Sequence, residues 1–142
     1  MDDHQEFHRG VVQEEAIHLS QAHSDPETPI LEAFVGDAVK IHVFFPWSEQ
    51  AHVFSLEGHR WPLEPGRQGS NLLSSILVGG MEALTLTLAD GAGGPGGFPG
   101  NYLYGDHREP YREAGLWGIF RVHDPHAAAT QLRPLRPSFR DE

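Results

Sequence analysis

His52-Val53-Phe54-Ser55-Leu56-Glu57-Gly58-His59 alternates and then turns. In an extended chain His52, Phe54 and Leu56 share one face, and Val53 and Ser55 share the other. The strand is expected over Ala51 to Leu56, with Gly58 ending it and Trp61 anchoring the core beyond it. The same period recurs on either side. Upstream, Val39, Ile41 and Val43 point one way while Lys40 and His42 point the other, until Phe45-Pro46-Trp47-Ser48 breaks the strand. Downstream, Leu84, Leu86 and Leu88 alternate with Thr85 and Thr87. Further strands are expected at Ile30–Phe34, Asn71–Val78, Tyr102–Tyr104 and Leu116–Val122. Turn signals separate them: Gly36-Asp37, a loop over 62–70, and Gly79-Gly80. Many short alternating strands without an amphipathic helix predict an all-β fold, an antiparallel Greek-key β-sandwich.

The sandwich is expected over residues 28–122 of the 142, a length that suits one domain. Residues 1–27 read as a polar, acidic extension in which Val11-Val12 and Ala16-Ile17 could add one edge strand. Residues 123–142 read as a flexible tail containing Pro and Arg. Gly91–Gly100 has no phosphate-cradling spacing, so it reads as a flexible hairpin connection.

The formal net charge is −10, and Lys40 is the one lysine. No basic stripe is available, so nucleic-acid binding is not expected. No run is apolar enough to span a bilayer. The start Met1-Asp2-Asp3-His4 lacks the basic and apolar regions of a signal peptide, and composition leaves the compartment open. There is no cysteine, which removes disulfides, zinc-thiolate and iron–sulfur sites, and thiol nucleophiles together.

The stretch from His52 to His59 resembles a copper motif of the multicopper oxidases, His-Pro-x-His-Leu-His-Gly-His, found in their last cupredoxin domain. Pro29–Val39 looks like the opening strand pair of such a domain. Pro99–Tyr104 followed by Gly115–Val122 looks like the closing pair. The order of the three is similar to that of large bacterial multicopper oxidases of the manganese-oxidase type. The resemblance implies a cupredoxin-like sandwich, copper as cofactor, and other cupredoxin domains or a homo-oligomer as partners. It also implies an extracytoplasmic setting and, within an active assembly, copper-dependent oxidoreductase chemistry.

The ligands depart from that pattern. The first histidine of the motif, which binds the type 1 copper, is kept as His52, but the next two are Ser55 and Glu57. The second family motif is His-Cys-His-x-x-x-His-x-x-x-x-Met. Aligned on Gly115-Leu116, it puts Gly105 at the first His, Asp106 at the Cys, His107 and Tyr111 at the later His positions, and Leu116 at the Met. A blue-copper site needs a thiolate, and none exists here. The isolated chain is therefore not expected to be catalytic by the family mechanism. A mononuclear metal site is the alternative, with His52, His59, His107, Glu57 and Asp106 as candidate ligands, since imidazoles and carboxylates suit Cu(II), Zn(II) or Mn(II). Against it stands the plain reading that His52 and His59 hydrogen-bond in the core.

Other constellations carry less. His4 and His8 would face one metal only on a helix. His123 and His126 flank Asp124-Pro125 and read as solvent-exposed. Arg108–Arg112 alternates in charge and reads as a salt-bridged loop. Asp106-His107 with Ser55 or Ser70 hints at a triad, but no nucleophile elbow is present. A cupin-type metalloenzyme would need a His-x-His pair, which the chain lacks.

Overall fold

The computed structural model describes residues 25–127. The strand proposed around Val11 to Ile17, and most of both extensions, lie outside the described residues. Among the described residues, nine strands carry the fold: β1 (Leu31–Phe34), β2 (Lys40–Phe45), β3 (His52–Leu56), β4 (Trp61–Pro62), β5 (Leu72–Leu73), β6 (Ser75–Val78), β7 (Glu82–Thr87), β8 (Gly100–Asp106) and β9 (Trp117–His123). One short helix, α1 (Glu109–Glu113), joins β8 to β9.

The main sheet has the order β1-β9-β8-β3-β6, and β2 pairs with β7 in a second sheet. Apart from β8 and β9, neighbours in the main sheet are not consecutive in sequence, so the chain crosses between layers, as a Greek-key sandwich requires. Alternation decides what lies between the layers. Val43 and Leu86 from the second sheet meet Phe54, Leu56, Phe120 and Val122 from the first. Trp61, predicted as the anchor, is 1% exposed. Lys40, His42, Thr85 and Thr87 face outward.

Four local expectations are corrected. The sheet is mixed rather than wholly antiparallel, because β1 runs parallel to β9, with Leu31 opposite Phe120. Asn71–Val78 is not one strand: β5 pairs with β4, whereas β6 pairs with β3. Arg108–Arg112 is not a salt-bridged loop, since Glu109–Glu113 is helical and carries Pro in its first turn, where a missing N–H costs nothing. Gly91–Gly100 is not a free hairpin connection. It folds into a 3₁₀ turn at Gly94–Gly96, and Ala92, Gly93 and Gly94 are buried.

The glycines there answer a packing need. A Cβ on Gly94, at φ +62°, would sit 2.1 Å from the Gly58 carbonyl oxygen. The loop can lie against the turn after β3 only without that atom.

Candidate functional site

β3 and β8 are antiparallel neighbours with Phe54 opposite Asp106. This register brings the last residue of β8 beside the first residue of β3. Asp106 Oδ2 lies 2.6 Å from His52 Nδ1. Both residues are buried, at 2% and 6% exposure. Burial pushes the Asp106 carboxyl up. The Arg108 N–H, the His52 ring and the Val53 N–H outweigh that, so it titrates below its ordinary value. Asp106 is therefore a carboxylate that only accepts, and His52 Nδ1 carries the proton between them.

The carboxylate is held at both oxygens. Oδ1 accepts the Val53 N–H at 3.2 Å and the Arg108 N–H at 2.8 Å. The imidazole is held on both sides. Phe45 stacks on it with centroids 4.7 Å apart, and the Tyr111 ring tilts against it at 4.6 Å. Its Nε2 lies 2.7 Å from Ser48 Oγ, in the loop between β2 and β3. Gln50 closes the rim. Its Oε1 accepts from Arg108 Nη2 at 3.0 Å and from the Tyr111 hydroxyl at 2.9 Å.

His59 belongs to a different place. The strand β3 rises about 13 Å from His52 to Leu56 at ~3.3 Å per residue, and His59 lies past its far end. The ring is 1% exposed. Its Nε2 accepts the Gly93 N–H at 3.0 Å, so Nδ1 is the protonated nitrogen and donates to the Glu57 carbonyl at 2.8 Å. Burial pushes its pKa down, against the pull of the Glu57 carbonyl and Asp90. Tyr102 and Phe120 enclose the ring at 4.5 and 5.2 Å. This neutral imidazole ties the glycine-rich loop to the sheet.

Of the five candidate ligands, the structure brings His52 and Asp106 together. His107 and Glu57 are exposed, and His59 is the loop tie. Among the described residues, no three His, Cys, Asp or Glu side chains form a group that could hold a metal ion. Ser55 donates to the Gly105 carbonyl at 3.3 Å. Ser70 accepts the Glu64 N–H at 2.9 Å. The serine beside the His–Asp pair is Ser48, which sequence reasoning passed over as part of a strand break. Its one signal was a position four residues before His52. His123 is not solvent-exposed as expected; it is half-buried, with Nε2 3.2 Å from Glu32 Oε1.

Solved structures resemble this arrangement of strands. A crystal structure of a multicopper oxidase superposes with a TM-score of 0.52 and 16% identity, covering 66% of this chain and 32% of that one. The multicopper oxidase mgLAC gives 0.53 and 20%, covering 68% and 32%. The blue copper oxidase from Nitrosomonas europaea gives 0.52 and 15%, covering 68% and 31%. The chain thus spans about a third of the length of each. No protein-family model and no curated protein matches the sequence. Among the described residues, no helix is long and apolar enough to cross a membrane. The strands and their order give this chain the cupredoxin-like fold found in the domains of multicopper oxidases.

Proposed function

We propose that the chain is a cupredoxin-like domain that has lost its own type 1 copper site and acts together with other cupredoxin-like domains. One observation carries this reading: the 2.6 Å hydrogen bond between His52 and Asp106. A type 1 site needs two histidines, one cysteine thiolate and a weak axial methionine. On the motif alignment those positions are His52, Tyr111, Asp106 and Leu116. Three of the four meet around one imidazole, since Asp106 bonds to it and Tyr111 packs on it. The frame persists, but the donor set does not fit the metal. Asp106 is a hard carboxylate where a soft thiolate is required, and Leu116 offers no donor at all.

His52 has both ring nitrogens engaged, by Asp106 and Ser48. A copper held by His52, His59 and His107 would have to break those bonds and free His59 from Gly93 and Glu57. The His–Asp pair instead fills the copper position with a hydrogen bond, keeping β3 and β8 in register.

Two features support action with other domains. The chain matches about a third of each multicopper oxidase. It also exposes large apolar side chains next to the His52 rim: Trp47 is 73% exposed and Met81 is 75% exposed. They are close in the fold, because the Met81 N–H donates to the Phe45 carbonyl. Exposed apolar clusters of this kind mark interfaces.

Titration of the wild-type chain with Cu(II), followed by EPR, tests the reading. The spectrum of nonspecifically bound copper, unchanged in His52→Ala, is expected. A stoichiometric signal that His52→Ala abolishes would overturn it.

A further inference from the structure

The lost copper position has kept an ordered chain of hydrogen bonds that ends at a hydroxyl. Ser48 Oγ lies 2.7 Å from His52 Nε2, and His52 Nδ1 lies 2.6 Å from Asp106 Oδ2. A nucleophile, a base and a buried carboxylate in this connectivity are what acyl transfer requires. We propose that Ser48, His52 and Asp106 form a nucleophilic triad that hydrolyses small uncharged or cationic esters.

Each member is suited to its part. Asp106 is buried and immobilised by two backbone N–H groups on Oδ1. Its other oxygen holds the proton on His52 Nδ1, which turns Nε2 toward Ser48 as the acceptor. Phe45 and Tyr111 keep the ring from rotating away. Ser48 is half-buried, on the loop between β2 and β3, and its Oγ also accepts the Gln50 N–H at 3.3 Å.

The hydroxyl has two acceptors for one proton. It lies 2.6 Å from the Gln50 carbonyl as well as 2.7 Å from His52 Nε2. With the proton toward Gln50, Ser48 accepts from an imidazolium. With the proton toward Nε2, His52 is neutral and the nucleophile is primed. A rotation about one bond interconverts the two arrangements. The Gln50 side chain lies on the same rim. Arg108 can only donate, so the Gln50 amide oxygen is fixed toward it. The amide N–H donors then have no partner among the described residues, two positions from Ser48.

The reaction balances without any metal or redox partner. Ser48 Oγ bonds to the ester carbonyl carbon and passes its proton to His52 Nε2. The carbon–alkoxide bond breaks, and the alkoxide leaves with that proton as an alcohol. Water then attacks the acyl-serine, giving up a proton to His52. The carboxylic acid departs and Ser48 is regenerated. The formal net charge of −10 disfavours anionic esters.

The test treats the full chain with a fluorophosphonate and maps the adduct by peptide mass spectrometry, with p-nitrophenyl acetate turnover measured in parallel. A single adduct on Ser48 is expected, absent in Ser48→Ala. His52→Gln should slow it by about 100-fold or more, the usual worth of a general base, and Asp106→Asn should slow it too. No adduct on Ser48, adducts scattered over surface hydroxyls, or an unchanged rate in His52→Gln would overturn the proposal. If His52→Gln does not fold, ester turnover undiminished in Ser48→Ala overturns it.

Discussion

Asp106 and His52 stand 54 residues apart in sequence and 2.6 Å apart in the fold, with neither side chain open to solvent. Pairing of β3 with β8 makes this contact, and the contact in turn holds the pairing at its end. Everything at the rim depends on it: the orientation of the imidazole, the approach of Ser48, and the packing of Tyr111.

Asp106→Asn should lower stability at pH 7 by about 1–3 kcal/mol, the range for a buried polar group losing its partner. The amide can still accept from Val53 and Arg108 but no longer carries charge toward His52. Because the folded-state pKa of Asp106 is depressed, the unfolded chain takes up the proton first on acidification. The stabilisation is full above the unfolded value of roughly 3.9 and lost as the pH falls through the folded value. Urea unfolding of both proteins from pH 7 to pH 2 should show their difference shrinking at the acid end.

His59→Phe should keep most of the ring volume and still destabilise by about 2–4 kcal/mol, because two buried backbone groups, the Gly93 N–H and the Glu57 carbonyl, lose their partners. The pKa of His59 is lowered by burial. Its neutral form is fully stabilising above the unfolded value of roughly 6.5 and loses that contribution as the pH falls toward the folded value. Thermal melts should show a shallower pH slope in the variant just below neutrality.

Gly94→Ala should cost about 3 kcal/mol, since its Cβ meets the Gly58 carbonyl at 2.1 Å in a left-handed backbone. Gly66→Ala is the control. It is also left-handed, at φ +80°, but has nothing within 4 Å, so it should lose only the conformational term of about 1 kcal/mol. Denaturant midpoints of the two variants should separate the clash from the backbone preference.

Trp47→Ser combined with Met81→Ser should leave the melting temperature within about 3 °C of wild type, because exposed positions away from packing features change stability little. On the proposed reading, the same pair should weaken association with a cupredoxin-like partner domain, as read by sedimentation velocity. Unchanged association would remove these residues from the proposed interface.

Alternation made the sandwich legible. Val39, Ile41 and Val43, then Leu84, Leu86 and Leu88, already marked the two strands of the second sheet and the faces they bury. Parallel pairing of β1 with β9 left no local trace, because it joins residues about ninety positions apart. A five-residue helix is too short to show a period, although Pro110 stood where a first turn tolerates it. The glycine-rich loop misled because its glycines signal freedom when read alone, whereas contact with Gly58 and His59 decides their structure. Of the site, His52 and Asp106 were legible from the motif frame. Ser48 was not, because its role comes from the path of the loop that follows β2.

The proposed conversion of a copper position to a hydrogen-bonded pair is tested most directly by reversing it. The measurement is visible absorption on adding one equivalent of Cu(II) to a variant carrying Asp106→Cys, Tyr111→His and Leu116→Met. Stoichiometric binding is expected, with the intense thiolate-to-copper band of a blue site, absent from the wild-type chain under the same conditions. A folded variant that binds no copper, or binds it without that band, would contradict it.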